Sequence, residues 1–204
     1  RKMDRFPGQT LLRGWDFGFN HPAVSFSLVD TLGRMNIAWC MKGTKIGLEE
    51  FVPTVTSATS QMFGNQCNIF DFGDPRGHDK GQNGKGSCFD TLQEFGINAT
   101  GERGSRDYVE EGIRQVKKEF STLIQGIPML TIDPSCPYIR PAYFGRYVRD
   151  DDGRPKKDGY WEHPADADRY ISHHHRHNDA VQRAMTQKKL DRKARFDGPR
   201  SITG

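Results

Sequence analysis

Leu11-Leu12-Arg13-Gly14-Trp15-Asp16 is a short run with apolar residues at both ends of its body that closes on a carboxylate. Working outward, Leu11 to Phe19, Ala23 to Asp30 and Met35 to Met41 are each apolar or alternating in polarity. Asn20-His21-Pro22 and Leu32-Gly33-Arg34 separate them with residues suited to tight turns. Three such runs at hairpin spacing predict an antiparallel three-strand meander.

The rest of the chain changes period. Apolar positions at Leu48, Phe51, Val52, Val55, Ala58 and Met62 predict a helix over Ile46 to Phe63, with Pro53 tolerated only near its first turn. Gln66 to Phe72 reads as a strand, Ser87 or Cys88 to Phe95 as a helix closed by Gly96, and Ile97 to Thr100 as a short strand. Ser105 can cap a helix reaching Phe120, and Met129 to Ile132 is another strand. Cys136 to Val148 reads as a helix kinked or started at Pro141; Asp150 to Asp158 is a polar connection, and a last helix begins near Pro164. The expected fold is α/β, a mixed sheet in which the meander is followed by parallel strands and flanked by helices.

Composition narrows the class. The chain has 204 residues, enough for one α/β domain with a tail. Hydrophobic residues make up 34%, mean hydropathy is −0.77, and no run reaches the ~20 apolar residues of a membrane span. Cys40, Cys67, Cys88 and Cys136 lack a CxxC spacing and read as buried free thiols in a reducing compartment. The net charge of +4 is unevenly spread: Ile171 to Gly204 carries eight Lys/Arg against three Asp, which leaves the body near −1. A basic tail over 173–204 follows, suited to nucleic acid, an acidic partner or plain solvent.

Three aspartates stand at unusual places. Asp16 ends the first strand, Asp74 ends Cys67-Asn68-Ile69-Phe70-Asp71-Phe72-Gly73, and Asp166 lies near the start of the last helix. Ligands of open α/β sheets gather beyond the carboxyl ends of the strands, and Mg²⁺ favours a few carboxylate oxygens with water and phosphate. The trio therefore points to metal-dependent phosphodiester chemistry, with Asp71, Asp133 and Asp168 as weaker alternates. Arg76, Lys80 and Lys85, in the glycine-rich stretch after Asp74, are placed to reach a DNA backbone; an ordinary solvated loop is the plain alternative. Gly84-Lys85-Gly86-Ser87 fails the phosphate-loop pattern, since Asp79 stands at the first glycine position and Gly86 follows the lysine. His173, His174, His175 and His177 read as an exposed cluster without a ligand spacing to any cysteine.

These motifs carry a resemblance. Gly14-Trp15-Asp16, Gly73-Asp74-Pro75 and Glu162-His163-Pro164-Ala165-Asp166-Ala167-Asp168-Arg169-Tyr170 resemble the nuclease domain of the large terminase subunit of tailed bacteriophages, over about residues 10 to 172. The resemblance implies an RNase H-like fold over 11–172 and two Mg²⁺ or Mn²⁺ ions held by Asp16, Asp74 and Asp166. It also implies endonucleolytic cleavage of concatemeric viral DNA in the host cell cytoplasm. Double-stranded DNA, the terminase small subunit, the portal protein and an ATPase domain linked through residues 1–10 are the implied partners. Glu162 departs from the usual Asp, and Asp168 stands where an apolar residue is typical. Rival expectations are a junction resolvase or transposase type of RNase H-like nuclease, and a non-catalytic docking module for DNA or the portal.

Overall fold

A computed structural model of the chain describes residues 8–79, 86–101 and 108–175. Strands β1 (Thr10–Asp16), β2 (Ala23–Val29) and β3 (Met35–Lys42) form the expected antiparallel meander. Helix α1 (Leu48–Phe63) then crosses one face of the sheet and returns the chain as β4 (Asn68–Gly73), parallel to β1. Helix α2 (Cys88–Glu94) leads to β5 (Ala99–Thr100), and α3 (Tyr108–Ser121) to a small hairpin, β6 (Leu123–Ile124) with β7 (Ile127–Pro128), and to β8 (Leu130–Ile132). The main sheet has the order β5-β4-β1-β2-β3-β8, with β4, β5 and β8 parallel to their neighbours. The described residues end in a helix over 162–175. No helix among them is long and apolar enough to cross a membrane.

The apolar character of β1 reflects burial on both faces, as expected of a strand at the centre of a covered sheet. Leu11 and Trp15 pack with Phe26, Phe51, Val52 and Val55 beneath α1, whereas Leu12 packs with Ile37, Phe72, Leu130 and Ile171 on the other face. Between Leu11 and Trp15, Arg13 is also buried, and its charge is met by Asp71 through Nε–Oδ1 at 2.8 Å and Nη2–Oδ2 at 2.9 Å. Trp15 Nε1 and Arg13 Nη1 add bonds to Asp71 (2.7 Å) and Thr59 (3.2 Å). A buried ion pair offsets its desolvation only when so fully bonded. Asp71 is thereby committed to the α1 face.

Several expectations are corrected. Helix α1 starts at Leu48, so Pro53 lies inside it, in the second turn, where it supplies no hydrogen bond to Glu49. Cys136 to Val148 is no continuous helix: a turn over Ile139–Pro141 runs into a wider one over Ala142–Arg146, broken at Phe144 and at Gly145, whose φ is 129°. Pro141 suits a helix start, not its interior. The helix over 162–175 runs past the expected boundary at 172, and His174 is buried, stacked on Phe72 and bonded to Tyr108 Oη at 2.9 Å. It is a packing residue, not an exposed one. Cys40 and Cys136 are buried free thiols with sulfurs 3.2 Å apart; Cys67 and Cys88 are free and half-buried. The helix cap expected at Ser105, residues 1–7 and the tail from 176 onward lie outside the described residues.

Candidate active site

The parallel pairing of β1 with β4 sets Trp15 opposite Gly73, so both strands end together and their next residues are carboxylates. Asp74 N donates to Trp15 O at 3.2 Å, the last bond before the strands part. Asp74 then caps the 3-10 turn Pro75–His78, its Oδ1 accepting from Arg76 N at 2.9 Å. Side chains alternate between faces along a strand. Asp16 and Gly14 therefore share the face opposite Arg13 and Trp15, and there the last helix lies.

Gly14 permits the approach. A Cβ there would lie 1.9 Å from Ala167 O and 2.8 Å from Ile171 Cγ1, so the helix backbone rests directly on the strand. Gly18 does the same for the helix start, where a Cβ would meet His163 Cε1 at 2.8 Å. Docked in this way, the helix brings His163 and Asp166, on one face at a spacing of three residues, to the end of β1. His163 Nδ1 donates to Asp16 Oδ2 at 2.5 Å.

The electrostatics of Asp16 register both of the other aspartates. Burial pushes the Asp16 carboxyl up to about 6; the bond from His163 opposes this, and the charges of Asp166 and Asp74 add to it. Asp166 is buried too, but Arg169 and Lys157 outweigh the burial and hold its carboxyl below the usual range. Its Oδ1 accepts from Tyr147 Oη at 2.8 Å and Arg169 Nε at 3.3 Å, and its Oδ2 from Lys157 Nζ at 3.0 Å. Burial pulls His163 down, yet its bond and charge contact with Asp16 raise it overall.

The alternates fall elsewhere. Asp168, two residues after Asp166, faces away and accepts from Tyr143 Oη at 2.8 Å; burial lifts its carboxyl to about 7. Asp133 closes the turn after β8, accepting from Ser135 N and Oγ at 2.9 and 2.6 Å, three strand positions from β1. Glu162 folds back onto Gly159 N and Tyr160 N at 2.7 and 3.0 Å, so it braces the helix start.

No family model and no curated protein matches the sequence of this chain. Solved structures do match. The nuclease domain of the P22 large terminase superposes with a TM-score of 0.60 at 19% identity, covering 86% of each chain. The large terminase nuclease domain of bacteriophage SPP1, solved with bound Mn, gives 0.51 at 22% identity, covering 79% of this chain and 84% of that one. That of thermophilic phage G20c gives 0.52 at 18% identity, with 83% of each chain covered. The fold is that of a large terminase nuclease domain. It is RNase H-like, a meander continued by parallel strands with helices on both faces.

Within this terminase-type fold, Arg76 is exposed beside Asp74, whereas Lys80 and Lys85 lie outside the described residues. Among those residues no trio of His, Cys, Asp or Glu is drawn together tightly enough to grip an ion. The donors nonetheless fit a hard divalent cation in kind: the charges of Asp166 and Asp74 add to the burial that raises the Asp16 carboxyl, a field that positive charge relieves. Sequence reading did not assign a role to His163, Lys157, Tyr147 or Arg169. The spacing of three residues that sets His163, Asp166 and Arg169 on one helix face was the available signal; Lys157 and Tyr147 reach Asp166 only through tertiary packing.

Proposed function

We propose that this domain is a metal-dependent endodeoxyribonuclease of the terminase type, which cuts viral DNA during genome packaging in the host cell cytoplasm. What supports the reading is the position of Asp16 and Asp74 at the ends of two adjacent parallel strands, with Asp16 also feeling the charges of Asp166 and Asp74, on this fold. Asp16, Asp74 and Asp166 would hold two Mg²⁺ or Mn²⁺ ions. When bound, such a pair activates the attacking water and stabilises the leaving oxygen of an in-line phosphodiester displacement. His163, through its bond to Asp16, sets the orientation of that carboxylate. Arg76, and with it Lys80 and Lys85 in the same stretch, would meet the DNA backbone as phosphate-contacting cations. The small subunit, the portal and an ATPase domain are the proposed partners that deliver DNA to the site, since a body near neutral charge has little pull on DNA by itself.

Conversion of supercoiled plasmid to nicked and linear forms tests this. Cleavage is expected with Mn²⁺ or Mg²⁺, absent with chelator, and restored by excess Mn²⁺. It should decline as pH falls through about 6, where Asp16 takes up a proton and ceases to be an anionic ligand. Cleavage that persists in chelator would remove the metal from the reading.

A further inference from the structure

Both oxygens of Asp166 are engaged, by partners of different exposure. Its Oδ1 is held by half-buried Tyr147 and by Arg169, which is buried in this corner. Its Oδ2 is held by the Lys157 ammonium at 3.0 Å. The two partners differ sharply in exposure: the Asp166 side chain is 5% exposed and that of Lys157 69%. A buried carboxylate stripped of cationic partners is costly, whereas a long exposed side chain swings away at little cost. The backbone beside Lys157 is anchored, with Lys156 N donating to Val148 O at 2.9 Å and Arg149 bridged to Pro155. Lys157 therefore remains near Asp166 whichever way its side chain turns.

We propose that Lys157 is a resident counter-cation of Asp166, one that satisfies the carboxylate in the metal-free protein and must leave Oδ2 before an ion can bind there. This deepens the nuclease reading and rests on it. The site becomes one in which metal does not enter a bare acidic pocket but displaces a tethered ammonium. Apparent metal affinity is lower for that reason, and the metal-free protein is more stable.

The test measures Mn²⁺ binding without DNA, by calorimetry and by the EPR signal of free Mn²⁺, on the full chain and on Lys157→Met, Lys157→Arg and Asp166→Asn. Lys157→Met is expected to bind Mn²⁺ about tenfold more tightly than the parent protein, the scale of one lost charged hydrogen bond. Its metal-free Tm should be lower, with the deficit removed by saturating Mn²⁺. Lys157→Arg, which keeps the charge, should stay within about twofold of the parent. If Asp166→Asn abolishes binding while Lys157→Met binds no more tightly than the parent, the counter-cation role is overturned and the metal site stands. If Mn²⁺ binds none of the four proteins, or binds Asp166→Asn as well as the parent, both fall together.

Discussion

Asp16→Asn is expected to lower plasmid cleavage by at least about a thousandfold while leaving the thermal midpoint of the metal-free protein equal or higher. The first half follows from charge. An amide matches the shape of the carboxylate and still accepts from His163, but it brings no anion to a divalent cation, and electrostatic terms of this kind dominate such chemistry. The second half follows from the direction of the Asp16 shift. Its folded pKa of about 6 lies above the model-peptide value of 3.8, so the folded state holds the proton more tightly than the unfolded chain. Its contribution to stability therefore falls as pH rises from about 4 through 6, and above that window the ionised carboxylate is a net cost. Removing that charge at pH 8 should return on the order of 1 kcal/mol. Asp166→Asn should lose cleavage too, but with a lower midpoint, because it strips the buried Arg169 guanidinium, 3% exposed, of its carboxylate partner. Plasmid assays beside thermal melts separate the two. An Asp16→Asn protein that cuts DNA at the parent rate would remove Asp16 from the site.

Gly14→Ala is expected to damage both stability and cleavage by adding a single methyl group far from any phosphate. That methyl would sit 1.9 Å from Ala167 O and 2.8 Å from Ile171 Cγ1. The nearer atom is backbone, so no rotamer change relieves the overlap; the helix over 162–175 must lift from β1. Overpacking costs of about 1–3 kcal/mol are usual where side chains can yield, and here the value should reach the top of that range or exceed it. Lifting the helix also carries His163 and Asp166 away from Asp16, and displacement on the order of 1 Å suffices to cost about a hundredfold in rate. Denaturant melts and plasmid cleavage measured together check this. A Gly14→Ala protein with parent stability and activity would mean that the helix does not rest on β1 as described.

The meander was legible because β1, β2 and β3 alternate or run apolar between turn residues, and pairing of neighbours in sequence demands no long-range information. Asp16 and Asp74 were legible as strand-end carboxylates, since a polar residue that closes an apolar run marks the sheet's rim. Other parts were not. Cys136 to Val148 has helical apolar spacing, but Pro141 and the left-handed Gly145 divide it into turns. The histidines at 173–175 looked solvent-facing because their neighbours in sequence are basic, although Phe72 and Tyr108 cover His174. Asp168 could not be separated from Asp166 by residue type; the turn of the helix sends one to Tyr143 and the other to the site.

Local pattern, then, settled which residues would be strands and where Asp16 and Asp74 would close two of them. Tertiary structure alone decided that β4 lies beside β1, that the last helix rests on Gly14, and that Lys157 and His163 attend Asp166 and Asp16. The reason is physical: strand propensity and alternation act over a few residues, whereas the meeting of side chains 147 or 9 positions apart depends on which faces pack and how closely two backbones can approach.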